Sequence, residues 1–509
     1  MRLVCEGALV GIAVGLVISL YRFMLSHAEE LMRFATAWLK DGGAIYLVWF
    51  AVLAVVCVIV SVLMVREPYT QASGIPQIDA EVAGRIDMPW WRVLPIKFVE
   101  GVLCAAGGLS LGREGPSVML GGMAGKGVSK LVHGERKHER LLVTCGAAAG
   151  MSAAFHAPLT GVLFAIEEIH REFSASLVIS VMTASVFSDF VSSQLLGVTP
   201  LIHLVMYSSL PHELYPAVIL MGVVCGVAGC VHNAGMFAVQ DRLYGPYEHK
   251  MPVLRLAIPF ALAGVAAYAW PDLMCGGDAI IERVMNLRSE TMLSLLLLLV
   301  GKYMFTALCF GSSAPGGTLF PLVVMGMLVG ALYGLGLTYA VGMPSFHVNS
   351  FVVLGIAGLF ASVIQAPVTA VVMVFELTGS LEALLATSIV SVVAYVTATL
   401  LKTDAFYEHL LARMLGKKVE DGSASEALRG RMIIKNYVVG VGSRIEGATI
   451  RDVEWPKDAL VVSIRQSGKK IVPKGDTPIV ALSEVSVLMD EADERSYDVI
   501  MQHLVSPRD

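Results

Sequence analysis

The stretch Gly112-Arg113-Glu114-Gly115-Pro116 places two charged side chains between apolar segments and surrounds them with glycine and proline. Proline is tolerated in the first turn of a helix because its missing N–H would be unpaired there. Glycine lets the chain turn sharply just before that turn. The stretch therefore predicts the start of a helix. Such a start has N–H groups without partners and the positive end of the helix dipole, so it attracts an anion.

The composition around this stretch is that of a membrane protein. Of 509 residues, 56% are hydrophobic and only 16% are charged, whereas about 25% are charged in soluble proteins. Nearly uncharged stretches recur as far as Leu401, and several reach the length of about 20 apolar residues that a membrane-spanning helix needs. We therefore predict a polytopic membrane protein. The small net charge of −5 gives no reason to expect a nucleic-acid partner.

Two other segments combine glycine and proline in the same way, namely Ser73-Gly74-Ile75-Pro76 and Gly316-Gly317-Thr318-Leu319-Phe320-Pro321. Each predicts another helix that begins inside the membrane. Unpaired backbone donors are costly in hydrocarbon, so we expect the three helix starts to converge on an anion such as chloride. Helix ends hold such an ion without a full positive charge, which would bind it too tightly for release. The alternative is that the three segments are packing kinks.

The membrane part also contains an internal repeat. Residues 146–167 match residues 355–376 in register, and each segment contains an Ala-Pro-x-Thr motif and ends in a glutamate, Glu167 or Glu376. Repeated membrane halves with interrupted helices place a transport site at the interface of the repeats. Chance similarity between two apolar segments is the alternative.

Glu114 is the strongest candidate for a functional residue, since a carboxylate within a membrane segment is costly and is retained for function. When it is ionised, it is itself an anion that can occupy the helix starts and exclude the transported ion. We therefore predict that Glu114 is a gate. A weaker repeat aligns Gly112-x-x-x-Pro116 with Gly317-x-x-x-Pro321 and places Leu319 opposite Glu114. The fold itself therefore does not need an acid here.

Two adjacent acids, Glu167 and Glu168, end another apolar helix. Glu167 has the repeat partner Glu376, which predicts a structural role such as capping. Glu168 is aligned with Leu377. An acid present in only one half is the better candidate for moving a proton between water and the interior. A solvated helix end is the alternative for Glu168.

Lys97 is a lone cation in an apolar segment. A buried lysine needs a partner, and we predict an ion pair with Asp79 rather than with Glu81 or Glu100. The pair would add positive potential to the anion path. The sequence has no cysteine or histidine cluster, no nucleophile–base pair and no nucleotide-binding loop. We therefore expect no metal site, no cofactor and no enzymatic activity.

A change of composition near Gly416 marks the end of the membrane part. We expect a transmembrane domain over residues 1–416, a polar linker over 417–431 and a soluble domain over 432–509. Within the soluble domain, residues 437–441 and 459–464 have the composition of strands, so a small α/β fold is expected.

The three membrane motifs, together with Tyr407 in Ala405-Phe406-Tyr407-Glu408, resemble the CLC chloride channel and transporter family in order and spacing. The resemblance covers about residues 6–415. It implies an all-α polytopic membrane domain with inverted repeats and broken helices, in halves of about 1–200 and 210–416. It also implies a multi-pass homodimer in a bacterial plasma membrane, in contact with membrane lipid and with one anion pathway in each subunit.

The resemblance implies roles for individual residues as well. Glu114 would be the external gating glutamate, and Glu168 would be the internal proton glutamate of the exchangers. The bound chloride would be coordinated by two hydroxyls and by the helix starts, which comprise Ser73, Gly74, Ile75, Arg113, Gly115, Tyr407 and the backbone N–H groups of Thr318 and Leu319. The family usually has bulky apolar residues at the last two positions, so we expect a different inner pore wall.

Because both Glu114 and Glu168 are present, the leading prediction is a proton-coupled chloride antiporter. A passive chloride channel gated by Glu114 is the alternative, and channels of the family generally lack an acid at the position of Glu168. An anion-sensing receptor that signals through its tail is a third interpretation, from a different class of protein.

The tail, over about residues 432–505, resembles the C-terminal regulatory domain (RCK_C, or TrkA-C) of potassium-uptake proteins. The resemblance rests on the segments 447–450, 462–468 and 471–477. It implies a dimerising domain that takes a small-molecule regulator, in several bacterial examples the cyclic dinucleotide cyclic di-AMP. A passive dimerisation module is the alternative, and either one implies a cytosolic C-terminus.

Overall fold

The computed structural model describes residues 2–39, 42, 45–132, 136–171, 174–197, 210–247, 252–287, 290–379, 383–416, 432–456, 459–466, 469–490, 497, 500–501 and 504–505. The chain divides into two compact units, Met1–Leu411 and Ala412–Asp509. The first unit consists of helices and the second contains a sheet.

The helices lie in the order α1 (Arg2–Leu39), α2 (Ile45–Arg66), α3 (Ile75–Val82), α4 (Trp90–Ala106), α5 (Glu114–Leu131), α6 (Arg136–Phe155), α7 (Pro158–Phe164), α8 (Ala175–Leu196), α9 (Tyr215–Ala238), α10 (Pro252–Ala269), α11 (Asp278–Met285), α12 (Met292–Gly311), α13 (Leu319–Val341), α14 (Val348–Ile364), α15 (Pro367–Thr378), α16 (Leu384–Leu400) and α17 (Phe406–Met414). Within the described residues, eight helical segments are long and apolar enough to cross a membrane. The prediction of a polytopic helical membrane domain is confirmed.

The three Gly/Pro segments each start a helix, as predicted. Helix α3 begins directly after Gly74, which has a φ of 99°. Helix α5 begins at Glu114 and α13 begins at Leu319. All of α3 is buried, and so are the first turns of α5 and α13. Three helices therefore begin in the interior of the membrane unit rather than at its surface.

The predicted repeat is visible as reciprocal helix caps. The Glu167 carboxylate accepts a hydrogen bond from the backbone N–H of Thr369 (2.9 Å) at the start of α15. The Glu376 carboxylate, at the end of α15, accepts one from the backbone N–H of Thr160 (2.7 Å) at the start of α7. Each half therefore caps a helix of the other half, as a two-fold relation between the halves requires. The capping role predicted for Glu167 is confirmed.

The second half also repeats the turn that precedes α3. Gly277 has a φ of 115° and is followed directly by α11, just as Gly74 is followed by α3. Both helices contain eight residues. The sequence comparison missed this pair because the two segments share little beyond the glycine.

The second unit contains one antiparallel sheet in the order β1-β4-β2-β3. The strands are β1 (Met432–Val438), β2 (Leu460–Gln466), β3 (Lys469–Ile471) and β4 (Glu484–Asp490). The strand predicted at 459–464 coincides with β2, whereas the strand predicted at 437–441 overlaps only the last two residues of β1. Apolar side chains of the sheet, among them Ile464, Val485 and Val487, form the core of this unit.

Candidate anion and proton pathway

The Glu114 carboxyl group lies where two helices begin. Its side chain is completely buried, and its Oε2 accepts a hydrogen bond from the backbone N–H of Phe320 (3.2 Å), in the first turn of α13. The backbone N–H groups of Arg113 and of Glu114 itself, at the start of α5, also face this carboxyl group. A negative charge therefore sits at the positive ends of two helix dipoles. The acid occupies the kind of position that the sequence assigned to a transported anion.

The two segments that start these helices are bonded to each other. The Gly112 N–H donates to the Gly317 carbonyl oxygen (2.6 Å), and the Gly317 N–H donates to the Gly112 carbonyl oxygen (2.8 Å). A bridge of this kind fixes the start of α5 against the start of α13. The N–H groups that face Glu114 are therefore held in place by the backbone and do not depend on side-chain conformation.

Two buried hydroxyl groups lie next to this junction. Ser73 and Tyr407 are almost fully buried, and within the described part of the chain neither hydroxyl meets a partner at full hydrogen-bond distance and angle. Ser73 Oγ lies 2.3 Å from the point where a Cβ on Gly115 would be, and Ser73 and Thr318 are both neighbours of the Tyr407 hydroxyl. A buried hydroxyl without a partner is costly. Hydroxyls that converge in this way suit an anion, which accepts hydrogen bonds from both.

Arg113 does not point its guanidinium group at the carboxylate of Glu114. The group lies over the ring of Phe320, with 5.5 Å between the guanidinium carbon and the ring centroid. Arg113 therefore approaches the carboxylate of Glu114 through its backbone N–H. A site built from backbone donors and hydroxyls avoids a direct contact between a full positive charge and the anion.

The second predicted acid, Glu168, lies in a separate charged cluster. It is buried on a π-helical turn (Ala165–His170) that continues α7. Arg171 lies 3.6 Å from the Glu168 carboxylate and also approaches Glu408 (3.5 Å) and Asp79 (3.9 Å). The exposed side chain of Glu408 connects this cluster to the surface. The charge of Glu168 also acts on the Tyr407 hydroxyl, so this cluster lies within electrostatic range of the buried hydroxyls.

Sequence reasoning missed Arg171, although a signal was available. Arg171 follows Glu168 by three residues, which places the two side chains on the same side of a helical turn. The approach of Glu408 and Asp79 could not be read in this way, since both lie far from Arg171 in the sequence.

The predicted ion pair between Lys97 and Asp79 is wrong. Lys97 Nζ donates to the backbone carbonyl oxygens of Thr70 (2.7 Å) and Ala72 (2.6 Å), while Asp79 approaches Arg171. The acid that acts on the Lys97 charge is Glu100, one helical turn along α4. Lys97 can reach carbonyl oxygens because the chain before Ser73 turns its backbone toward α4. The lysine therefore supports the segment that carries Ser73.

Comparison with known proteins adds family relationships to this geometry. Residues 55–399 match the family described as Voltage gated chloride channel, and residues 436–498 match the TrkA-C domain. The H(+)/Cl(-) exchange transporter ClcA of Vibrio cholerae is 32% identical over 419 residues, which are 80% of this chain and 88% of that protein. ClcA of Salmonella agona is 31% identical over 431 residues, covering 82% of this chain and 89% of that protein.

Solved structures give the same relationship. The structure of a slow cyanobacterial Cl-/H+ antiporter has a TM-score of 0.77 and 26% identity and covers 82% of this chain and 99% of that one. A CLC-type fluoride/proton antiporter has a TM-score of 0.65 and 21% identity, covering 80% of this chain and 96% of that one, and shows the fold alone.

Proposed function

Because this chain belongs to the voltage-gated chloride channel family, we infer that it is a proton-coupled antiporter that exchanges chloride for protons across a membrane. The observation that carries this inference is the carboxylate of Glu114 at the start of both α5 and α13. The names of the ClcA relatives and of the cyanobacterial antiporter support it. The protein is a transporter, and no covalent reaction is proposed for it.

The chloride site is proposed to lie between the buried hydroxyls and the helix starts. The unpartnered hydroxyls of Ser73 and Tyr407 support this position. Their donors, together with backbone N–H groups, would replace part of the water shell of the ion. The proposed set comprises Ser73, Gly74, Ile75, Arg113, Gly115, Thr318, Leu319 and Tyr407.

Glu114 is proposed to couple the two ions. When its carboxylate is ionised, it holds the N–H of Phe320 and blocks the position of a chloride ion. A proton removes the charge and weakens these hydrogen bonds, since an ionised acceptor binds N–H groups more strongly than a neutral one. The neutral side chain can then leave, and chloride can enter. Each passage of chloride past Glu114 is in this way tied to a proton.

The proposed inner proton donor and acceptor is Glu168. It is buried, and Arg171 and Glu408 connect it to the surface. A passive channel would require Glu114 as a gate and would have no use for a second buried acid on the other side of Tyr407. The position of Glu168 therefore favours the antiporter over the channel.

The remaining proposals concern the setting of the protein. We propose a homodimer embedded in lipid in a bacterial plasma membrane, with a cytosolic C-terminus. The TrkA-C match over residues 436–498 supports a regulatory tail that takes a small molecule, for which a cyclic dinucleotide is the proposed class. The proposed domain limits are 1–416 and 432–509, with residues 417–431 as the linker, whose structure lies outside the described residues.

The test uses the purified protein in liposomes with a chloride gradient and no other driving force. The expected result is that chloride moving down its gradient drives protons uphill, measured by pH and chloride electrodes. The Glu168→Ala variant is expected to move chloride with greatly reduced proton flux. Chloride movement without uphill proton movement in the wild type would establish the channel instead.

A further inference from the structure

A cavity of about 30 Å³ is lined by Gly112 and Arg113, the two residues before Glu114, and no step proposed above uses it. Gly112 and Phe320 line one end of the cavity, where Phe320 bonds to the Glu114 carboxylate. The other carboxylate oxygen of Glu114, Oε1, has no hydrogen-bond partner in the described structure. The cavity therefore reaches Phe320, whose N–H bonds to a fully buried carboxyl group with free capacity for a hydrogen bond.

The other end of this cavity meets a second cavity of about 250 Å³. Glu29, Cys275 and Asp278 line both cavities. Along α1, Tyr21 and Glu29 line the first cavity and Arg33 lines the second. These three positions share one side of α1, since they are spaced by four or eight residues. One face of α1 therefore follows the path from the buried acid outward.

The two-fold repeat allows Asp278 to be compared with the equivalent residue of the other half. It is the first residue of α11, which corresponds to α3 in the other half, where Ile75 holds the equivalent place. The α3 start faces the proposed chloride site through Ser73. The equivalent start in the second half instead carries a resident carboxylate, which is stabilised by the helix dipole. This half therefore has a fixed acid where the other half has an anion position.

Glu29 and Glu168 belong to opposite faces of the membrane unit. Helix α1 ends at Leu39 and α2 begins at Ile45, so the end of α1 shares a face with the start of α2, and Glu29 lies in the half of α1 nearer that face. Helix α2 crosses and ends at Arg66, where Arg92 donates to the Arg66 carbonyl oxygen (3.0 Å). The end of α3 is followed within eight residues by the start of α4, which carries Arg92, so it lies near that second face, and its Asp79 contacts Arg171 beside Glu168.

We propose that Glu29 is an outer proton-transfer residue, which passes protons between external water and Glu114 through this cavity. The proposal rests on the antiport function inferred above. Carboxylates at the mouth of an anion path repel chloride, so a role in chloride attraction does not explain them. A proton path, by contrast, needs an acid that can be reached by water on one side and by a water chain on the other.

The transfer is balanced without any further reactant. A proton leaves the Glu29 carboxyl group, travels along hydrogen-bonded water in the cavity and binds the Glu114 carboxylate, and Glu29 then recovers a proton from external water. The reverse sequence releases the proton. The first cavity can hold about two water molecules and the second cavity several more, since polar groups line both.

Charged groups from several elements surround Glu29, and Asp272 and Glu282 line the second cavity with it. Arg33 lies on the same helix, Asp278 starts α11, Arg113 precedes α5, and Lys302 comes from α12. The thiol of Cys275 also faces Glu29. Acidic and basic groups therefore both surround Glu29, so the charges around it are not of one sign.

The test compares exchange rates in liposomes while the external pH is varied. We expect Glu29→Gln to slow coupled exchange about tenfold near neutral external pH and to leave the chloride-to-proton ratio unchanged. The loss should shrink as the external pH falls, because protons then reach Glu114 from water directly. Glu29→Asp should restore much of the rate. Glu30→Gln is the matched control, since Glu30 is the next residue on α1 and is exposed, and it should follow the wild-type pH profile.

A second experiment, in the Glu114→Gln variant, separates an effect on proton transfer from an effect on folding or on the electrostatics of the chloride path. Chloride flux through a Glu114→Gln variant uses no proton, so adding Glu29→Gln should leave that flux unchanged. A Glu29→Gln profile that superimposes on that of Glu30→Gln would overturn the proposal, and so would an equal slowing of chloride flux in the Glu114→Gln background. If the wild type moves no protons uphill, the antiport function itself fails, which is a distinguishable result.

Discussion

Gly112 and Gly317 bond to each other through both of their backbone groups, with N–O distances of 2.6 and 2.8 Å. These two residues occupy equivalent places in the two halves of the membrane unit. Their bridge fixes the start of α5 against the start of α13, so the N–H groups around Glu114 belong to both halves. The anion position is therefore a property of the pair of halves, and neither half could form it alone.

The bridge predicts different outcomes for two similar substitutions. In Gly317→Ala, the new Cβ would lie 2.8 Å from the backbone nitrogen of Gly115, which cannot move freely. In Gly112→Ala, it would lie 2.2 Å from Oε2 of Glu114, the end of a flexible side chain. We expect Gly317→Ala to lower the thermal stability and abolish exchange. Gly112→Ala should fold and displace the Glu114 side chain. Chloride flux in liposomes and thermal unfolding measure the two effects. Equal losses of stability in the two variants would contradict this prediction.

Glu114→Gln is expected to uncouple the two ions. Glutamine has no charge that competes with chloride and cannot take up a proton, so chloride should move passively while proton flux falls to the background level. Chloride and pH electrodes on the same liposomes measure both. Retained uphill proton movement would show that another group carries the coupling.

Ser73→Ala is expected to weaken chloride binding about fivefold, which corresponds to the loss of one net hydrogen bond of ~1 kcal/mol. Isothermal titration calorimetry with chloride measures this directly. Ser129→Ala is the matched control, because Ser129 Oγ is also buried and has no partner in the described structure but lies near the far end of α5. Equal effects of the two variants would argue against a chloride contact at Ser73.

The reciprocal caps predict a pair of equivalent stability losses. Glu376→Gln and Glu167→Gln each remove an ionised cap from a helix start, and each should cost about 1–2 kcal/mol of stability. Thermal unfolding in detergent measures the loss, while the chloride-to-proton ratio should stay at the wild-type value. Glu168→Gln should show the reverse pattern, with little loss of stability and a large loss of proton flux.

In the second unit, Asp452 predicts a loss of local order in acid. Its carboxylate accepts hydrogen bonds from the Thr449 hydroxyl (2.5 Å) and from the Thr449 N–H (3.3 Å), and these bonds lower the pKa of Asp452 below its ordinary value of 3.8. The contribution is therefore complete above the unfolded-state pKa and is lost as the pH falls through the lower, folded-state pKa. Amide exchange at Thr449 should accelerate in that acid range. Asp452→Asn should exchange fast at all pH values, and a pH-independent wild type would contradict the assignment.

Much of the membrane fold could be predicted from the sequence because its signals are local. Proline after glycine restricts the backbone wherever it occurs, so the starts of α3, α5 and α13 were predictable without any knowledge of neighbours. The equivalent turn at Gly277 could not be found in this way, since only its backbone conformation repeats that of Gly74. The partner of Lys97 was also missed, because carbonyl oxygens leave no mark in a sequence.

The sequence by itself determined that Glu114 and Glu168 are acids in a membrane segment and that one half lacks each of them. The energetic cost of a carboxylate within the membrane was enough to mark both residues as functional candidates. Only the tertiary structure decided that the Glu114 carboxylate bonds to the start of α13 and that Glu29 and Asp278 line a cavity with Phe320. The physical reason is that these residues are far apart in the chain, and their distances depend on how the two halves pack around one bridge.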